Sequence, residues 1–304
     1  MGLVYPCLNA VLPPPDHLLN ISKTFSSMKT KKILLISAIV ILILAAGFFI
    51  VMYPSYKAFM QEETINLDKN LTILIGGGGN SGLLLTDSAL VVIDTKMSKG
   101  AEKLYRMAVE KAGGKPIIVI NTHYHGDHLQ GNHFFKGSRI YIGNYDKTFL
   151  ARNVDPANMP TDFVTDSLIL VLGDEVLKLR NYGQAHTWDD MVVYLVNRKV
   201  LFAGDLVQNQ TNPFLIKESG ADVDKWIKTL SCMRCHYKPV TLVPGHGNLG
   251  DSTLMRVMQQ YFKDMKEAAA NPAREKELVE KYKDWHGMRS MASPEKTIEY
   301  VRQK

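Results

Sequence analysis

The chain has 304 residues, of which 46% are hydrophobic and 22% charged. This composition excludes a disordered protein and is enough to bury one sizeable globular core. The formal net charge of +6 comes from basic residues spread along the chain, which we interpret as solvated helix faces rather than a nucleic-acid groove. We therefore expect a folded protein that does not act on nucleic acid.

An apolar run from Ile33 to Met52, interrupted by Ser37, is the first element along the chain. Its length of about twenty residues matches the hydrocarbon thickness of a bilayer. Lysines at positions 29, 31 and 32 precede it, so the positive-inside rule places the rest of the chain on the extracytoplasmic, periplasmic side. We predict an uncleaved signal anchor. An export signal cleaved after Ala46 is the alternative, although Leu44-Ala45-Ala46 is a poor cleavage site.

These features divide the chain into four parts. Residues 1–32 form an N-terminal tail, and we hypothesise that the natural start is Met28. Residues 33–52 form the transmembrane or signal-anchor helix, and residues 60–270 the main globular domain. Residues 271–304 form a helical extension, with predicted helices from Ala273 to Trp285 and from Pro294 to Arg302. We expect the extension to cap the domain; packing over the mouth of the site is the alternative.

Short strands begin after Asn66. The pattern predicts strands at 71–75, 83–85 and 89–94, followed by a helix from Ser98 to Ala112 with Ser98 as its N-cap and Gly113 as its stop. A glycine run, residues 76–79, separates the first two strands. The Lys-Ser or Lys-Thr pair of a phosphate-binding loop does not follow it, so we interpret the run as a flexible turn.

The next strand, Pro116 to Ile120, leads into a dense cluster of ionisable side chains. The segment His123-Tyr124-His125-Gly126-Asp127-His128 places three imidazoles and one carboxylate within six residues. Burying these groups together without a metal would carry a large desolvation cost. His123 and His125 are spaced to chelate one ion, and Asp127 and His128 follow along the turn to face a second. A helix from Leu129 to Phe135 is predicted to follow.

Beyond the cluster, single polar residues follow the ends of predicted strands. The pattern predicts a strand at 139–142, a helix at 144–152, a surface loop at 153–165 and two hairpins at 168–179 and 191–203. A helix at 222–230, a strand at 240–243 and a helix at 252–270 come next. The polar residues are His186 in Gly-Gln-Ala-His-Thr, Asp205 in Ala-Gly-Asp and His246 in Pro-Gly-His-Gly. Loops beyond strand ends are where open sheets present their sites.

In order and spacing, these motifs closely resemble the metallo-β-lactamase superfamily from about Asn66 to Ala270. The resemblance implies an α/β fold, an αββα sandwich of two mixed sheets with outer helices and a dinuclear metal site at one edge. It implies that Asp94 orients ligand histidines by hydrogen bonding. It also implies a ligand set in which one cation binds His123, His125 and His186, the other binds Asp127, His128 and His246, and Asp205 bridges the two.

A pair of cations in such a site predicts hydrolytic chemistry. A metal-bound hydroxide held between two divalent cations, Zn²⁺ first and Fe or Mn as alternatives, is a nucleophile at neutral pH. We expect Asp127 to orient it and to pass its proton to the leaving group. The predicted function is a dinuclear metal-dependent hydrolase acting on a small ester, thioester, lactone or related carbonyl substrate. β-Lactamase activity is the alternative. It comes second because the lactamases that this chain resembles carry cysteine where it has Asp205, whereas thioesterases and lactonases of the superfamily use a bridging carboxylate.

One motif points to a different class of function. Cys232-Met233-Arg234-Cys235-His236 matches the attachment signature of c-type haem. A haem-bearing or redox-linked protein, with Cys232, Cys235 and His236 holding the group, is therefore the alternative of another class. The competing interpretation is the end of an ordinary outer helix, with a disulfide or two free thiols.

Overall fold

The computed structural model describes residues 32–50, 53, 62–287 and 291–303. The N-terminal tail before residue 32, with the hypothetical start at Met28, lies outside the described residues, as does the predicted end of the apolar run at Met52. The chain divides into two compact units, Met1–Pro54 and Ser55–Lys304. In the first, helix α1 spans Lys32–Ile50, has a mean hydropathy of 3.1 and is long and apolar enough to cross a membrane.

The second unit contains two sheets. The first has seven strands in chain order, antiparallel from β1 to β4 and parallel from β4 to β7. The second has the order β12-β11-β10-β9-β8, antiparallel except for the parallel pair β11 and β12. The first sheet comprises β1 Glu63–Asn66, β2 Leu71–Ile75, β3 Ser81–Leu85, β4 Leu90–Ile93, β5 Ile117–Ile120, β6 Arg139–Gly143 and β7 Asp162–Val164. The second comprises β8 Ser167–Leu172, β9 Glu175–Gly183, β10 Asp190–Leu195, β11 Val200–Phe202 and β12 Thr241–Val243.

Seven α-helices are described in the second unit. They are α2 Ser98–Ala112, α3 Gly126–Leu129, α4 Lys147–Asn153, α5 Val223–His236, α6 Thr253–Ala270, α7 Pro272–Lys281 and α8 Pro294–Arg302. Short 3₁₀ helices span Gln130–Phe135, Pro156–Asn158 and Gly204–Leu206.

Alternation along the strands arranges these elements in four layers. In β4, Leu90 and Val92 pack against α2, while Val91 and Ile93 pack on the side of the second sheet. On the far side of the second sheet, α5 and α6 cover β10, β11 and β12, with Trp226 fully buried. Removing each such large apolar side chain from water stabilises the fold by about 1.5–3 kcal/mol. The predicted αββα sandwich is confirmed.

The C-terminal helices belong to the outer layer over the second sheet. Leu278 of α7 and Ile298 of α8 lie in the same buried cluster as Phe262 of α6. Tyr261 in α6 is hydrogen-bonded to Thr297 in α8 over 2.8 Å. These contacts place the two helices against α6.

Several predicted boundaries are wrong, each for a local reason. Met97, not Ser98, is the N-cap of α2, and the cap makes no side-chain hydrogen bond. Ser98 is instead the first residue of the helix and has φ 51°. The predicted helix at 144–152 starts at Lys147, because the Asp146 carboxylate accepts from the backbone N–H of Thr148 and caps it.

Tertiary pairing explains the remaining differences. The predicted loop at 153–165 contains β7, which pairs with β6 at the sheet edge. The segment after Leu129 forms a 3₁₀ helix, and α5 continues to His236 instead of ending near Leu230. Strand β1, which sequence reasoning missed, has mostly exposed side chains and forms only through its pairing with β2.

Candidate metal centre

Chain segments beyond the ends of four strands converge to form the candidate metal centre. Residues 121–128 follow β5 and enter α3, and His186 lies between β9 and β10. Asp205 lies in the 3₁₀ helix after β11, and His246 directly follows β12. Because β11 and β12 are parallel, their carboxyl ends deliver Asp205 and His246 to the same edge of the sandwich.

One group within the centre consists of three histidines. Nitrogen atoms of His123, His125 and His186 lie within 4.8 Å of one another. Nε2 of His186 is 3.0 Å from Nδ1 of His125. His123 and His186 are fully buried and His125 is half-buried, so the group faces a site shielded from solvent.

The second group consists of Asp127, His128 and His246, whose ligand atoms also lie within 4.8 Å of one another. Oδ2 of Asp127 is 3.2 Å from Nε2 of His246 and 3.6 Å from Nε2 of His128. With 21% of its side chain exposed, Asp127 lies on the solvent side of the centre.

The carboxylate of Asp205 lies between the two groups. Its Oδ2 is 3.3 Å from Nε2 of His186 in the first group. Its Oδ1 is 3.2 Å from Nε2 of His128 and 3.4 Å from Nε2 of His246 in the second. One carboxylate therefore presents an oxygen to each group, which is the arrangement that a bridging ligand needs.

Several buried atoms at this centre are without a hydrogen-bond partner in the part of the chain that the structure describes. Leaving such an atom unsatisfied costs about 1–3 kcal/mol. Imidazole nitrogen and carboxylate oxygen are ligands that suit Zn²⁺, Fe and Mn, so the donor set fits divalent cations. Among the candidate ligand atoms, the unsatisfied ones are Nε2 of His123 and of His125, whereas Nε2 of His128 and Oδ1 of Asp205 lie 3.2 Å from each other.

Burial governs protonation in the three-histidine group. It lowers the pKa of His123 well below its ordinary value, lowers that of His125, and lowers that of His186 to about 3. These imidazoles are therefore neutral at pH 7. A neutral imidazole is the form that binds a metal ion.

Carboxylates govern protonation in the second group. Burial opposes the charged form of His128, but Asp127, Asp94 and Asp205 raise its pKa well above the ordinary value. Burial likewise opposes the charged form of His246, but Asp205 and Asp127 raise its pKa to about 9. A cation that binds this group therefore displaces protons from its histidines.

Asp94 supports the centre from beneath. Its Oδ2 lies 2.8 Å from Nδ1 of His128 and accepts from the Thr122 hydroxyl at 2.8 Å, while its Oδ1 accepts from the Thr122 N–H at 2.7 Å. The Thr122 hydroxyl oxygen also lies 3.1 Å from Nδ1 of His123. A hydrogen bond from Nδ1 of His128 to Asp94 directs Nε2 into the centre, where it can bind a cation once its own proton is displaced.

Comparison with known proteins identifies the family. The family model described as the Metallo-beta-lactamase superfamily matches residues 74–246, more than half of the chain. The chain belongs to this superfamily. All seven candidate ligands and Asp94 lie within the matched range.

Relatives and solved structures agree with this assignment. The metallo-beta-lactamase type 2 of Bacteroides fragilis is 25% identical over 197 residues, covering 64% of this chain and 78% of the relative. Metallo-beta-lactamase IND-1 of Chryseobacterium indologenes is 28% identical over 200 residues, covering 62% and 83%. The structure of a metallo-beta-lactamase from Pontibacter korlensis matches with a TM-score of 0.59 and 24% identity, covering 67% of this chain and 99% of that chain. At that identity the structural likeness shows the fold.

Sequence reasoning missed the residues that hold the His186 loop of this superfamily member. Oδ2 of Asp190 accepts from the backbone N–H groups of His186 at 2.6 Å and Thr187 at 2.9 Å. The Thr187 hydroxyl donates to Asp190 at 2.7 Å and contacts Asp189 at 2.9 Å. Two adjacent acidic residues at the start of an apolar strand, Asp189-Asp190, were the signal that could have revealed this network.

Trp226 was missed as well. Its ring lies 5.0 Å from that of His186, and its Nε1 donates to the Leu206 carbonyl at 2.9 Å. It therefore packs beneath His186 and ties α5 to the 3₁₀ helix that carries Asp205. The sequence did not predict this role, because a lone tryptophan at helical spacing indicates an ordinary residue of the hydrophobic core.

The three residues of the haem-attachment motif lie outside the cluster. Cys235 is exposed and Cys232 half-buried, both as free thiols, and Sγ of Cys232 is 3.5 Å from Nδ1 of His236. Cys232 lies six residues after Trp226 in the same helix, a rise of about 9 Å. The haem interpretation stays a prediction, which a Soret band in exported protein would support.

Proposed function

We propose that this protein is a dinuclear metal-dependent hydrolase of a small ester, thioester or lactone. The observation that carries the proposal is the position of Asp205, whose two carboxylate oxygens face the two groups of candidate ligands. His123, His125 and His186 would hold one cation, and Asp127, His128 and His246 the other. The unsatisfied buried Nε2 atoms of His123 and His125 support the assignment of the first cation.

Two bound divalent cations, with Zn²⁺ the first candidate, would bring the pKa of a shared water towards about 7 and polarise the substrate carbonyl. Asp127 is suited to the proton transfers, because its carboxylate is the most exposed acidic group of the centre. His128 and His246 hold the pKa of Asp127 below its ordinary value, against the effect of burial. It is therefore a carboxylate at neutral pH, able to accept a hydrogen bond from water and pass the proton to the leaving group.

Hydrolysis of β-lactams is the second candidate, favoured by the relatives named as metallo-beta-lactamases. Asp205 argues against β-lactam hydrolysis, because the similar lactamases carry cysteine at this position. A cysteine offers one sulfur ligand, whereas Asp205 offers two oxygens. An ester, thioester, lactone and lactam panel, assayed on protein of measured metal content, separates the two candidates. Lactam turnover exceeding that of every other substrate would replace the first candidate by the second.

The double substitution His123→Ala and His125→Ala tests metal dependence. We expect it to abolish both the bound metal and turnover, because it removes two ligands of one cation. His236→Ala is the matched control, since this histidine is exposed at the end of α5 and outside the centre. Turnover retained by metal-free protein would contradict the proposal.

We also propose that α1 anchors the catalytic unit to a membrane with the unit on the extracytoplasmic side. The length and hydropathy of Lys32–Ile50 and the lysines that precede it support this orientation. Protease treatment of cells whose outer membrane alone is permeabilised, and of fully lysed cells, tests this orientation. Protease should cleave the catalytic unit once the outer membrane is permeabilised. Protection until the inner membrane is broken would contradict the proposed orientation.

A further inference from the structure

The glycine turn, residues 76–80, is more than a flexible connection between β2 and β3. Gly76 is half-buried, and residues 77–80 are buried. Three of its glycines, Gly76, Gly77 and Gly78, have positive φ angles, a conformation that costs glycine little. Because the turn is buried, each of its two sides contacts another segment of the protein.

On one side it packs against the segment that carries Asp127 and His128. The N–H of Gly79 donates to the Asp127 carbonyl at 3.1 Å. A Cβ atom at Gly79 would overlap the His128 ring, and one at Gly78 would lie 3.3 Å from Cβ of Asp127. The absence of side chains at these positions therefore lets the turn support the His128 ring directly.

On the other side it binds the segment that carries His246. The N–H of Asn80 donates to the Gly245 carbonyl at 2.8 Å. The side-chain amide of Asn80 donates to the carbonyls of Pro244 at 2.9 Å and Gly247 at 2.8 Å. The turn thus connects the two segments that supply the three ligands of the second group.

Lys96 holds the turn from inside the protein. Its side chain is buried, and its Nζ donates to the carbonyls of Leu74 at 3.1 Å, Gly79 at 2.7 Å and Gly76. Three carbonyl acceptors match the three hydrogens of an ammonium group. Burial lowers the pKa of this lysine to about 7. A buried amine is costly, so these hydrogen bonds to the glycine turn compensate an otherwise unfavourable position.

We propose that Lys96 is a positioning residue for the second cation, acting through the glycine turn on Asp127, His128 and His246. By fixing the carbonyls of Gly76 and Gly79, it holds a backbone that would otherwise be free to move. The turn then holds both ligand-bearing segments at the spacing that one cation requires. This inference rests on the proposed dinuclear centre and concerns only its second group.

Lys96→Met in the full chain tests the inference, since methionine keeps much of the length and removes the donors. Metal content is measured by elemental analysis, and stepwise affinity by competition with a chelator. We expect affinity for the second cation to fall about 10- to 100-fold, the loss typical of a supporting contact, while that of the three-histidine group stays at the wild-type value. Lys99→Met, on the exposed start of α2, is the matched control.

Asn80→Ala is the second variant. It leaves Lys96 intact and removes the side-chain bonds to the carbonyls of Pro244 and Gly247. The same selective loss of the second cation is expected, and this variant decides the matter if Lys96→Met does not fold. Cobalt substitution gives a separate spectroscopic readout, in which the bands of the three-histidine group persist and those of the second group weaken.

Three outcomes overturn the inference. Wild-type affinity for both cations in the folded variants would show that the turn does not position the second group. Equal loss of both cations would show a general structural role. A wild-type protein that binds fewer than two cations would refute the proposed dinuclear function itself, and with it the inference, so the two failures are distinguishable.

Discussion

The imidazoles of the candidate metal centre differ at the residue scale in how each is supported. Nδ1 of His128 lies against Asp94, and Nδ1 of His123 lies near the Thr122 hydroxyl. His186 is fixed instead through its backbone N–H, which donates to Asp190. Each contact restricts the ring that it supports, so the residues around the ligands set the geometry available to a cation.

Asp94→Asn should weaken metal binding without removing a ligand. The amide keeps the shape of the side chain but loses the charge that orients His128 and Thr122. We expect affinity for metal to fall about 10- to 100-fold. Competition with a chelator measures this affinity. Asp87→Asn is the control, since Asp87 is an exposed aspartate between β3 and β4. Unchanged affinity would show that the contact does not support the ligand.

Metal affinity should rise with pH. His246 has a pKa raised to about 9 and that of His128 is also raised, so both carry protons at pH 7 that a cation must displace. Raising the pH removes these protons beforehand, so affinity should increase between about pH 6 and pH 9. Calorimetry in buffers of different ionisation enthalpy counts the protons released. Affinity that does not vary with pH would refute this proton exchange.

Asp205→Cys should shift substrate preference towards lactams. A thiolate binds one cation through one atom and cannot present separate donors to His186 and His128 as the carboxylate does. We expect the ratio of kcat/KM for a lactam to that for a lactone to rise about tenfold, equal to about 1.4 kcal/mol. A ratio that stays constant would mean that position 205 does not set the preference.

At the scale of elements, turns and short helices place the ligands, whereas strands supply the rigid frame. The glycine turn meets α3 on one side and the loop after β12 on the other. α5 meets His186 and the Asp205 segment through Trp226. An element that contacts two ligand-bearing segments couples them, because neither segment can move without disturbing the contact.

Gly79→Ala should damage the second group selectively. The added Cβ would overlap the His128 ring, so the ring or the turn must shift. We expect loss of the second cation and destabilisation of about 1–3 kcal/mol, measured by metal analysis and chemical denaturation. Gly126→Ala is the matched control, since a Cβ at this position, between His125 and Asp127, meets nothing within 4 Å. Full metal content in Gly79→Ala would show that the ring can move without loss of binding.

At the scale of the molecule, the buried clusters found among the described residues all belong to the second unit. Its buried clusters cover the space between the sheets and both outer faces. The apolar side chains of α1, within the first unit, are exposed.

Removing residues 1–54 should leave a folded, metal-binding protein. Of the removed residues, those that the structure describes belong to none of the buried clusters, so the free energy of unfolding should stay at its full-length value. The truncated protein should partition into the soluble fraction, with the metal content and turnover of the full-length protein. Loss of folding would show that the N-terminal segment contributes to the core.

Much of the frame could be predicted from sequence, because local periodicity reflects backbone geometry. The alternation and length of apolar runs located β2, β4, β5 and β8 to β12, and Gly113, with φ 57°, ends α2 as predicted. The weakly apolar strands β1 and β7 were not predicted, since their formation depends on pairing with β2 and β6. Met97, not Ser98, is the N-cap of α2, although the hydroxyl of Ser98 suggested otherwise.

The candidate ligands were also visible in the sequence, because a dense cluster of imidazoles and carboxylates is costly to bury without a cation. Only the tertiary structure decided which atoms meet. Asp205 comes to lie between two groups whose members come from segments that are distant in sequence, and Lys96 reaches the carbonyls of residues 17 to 22 positions earlier. Hydrogen bonds to backbone carbonyls leave no pattern in the sequence, since every residue has a carbonyl and the fold alone selects which ones converge.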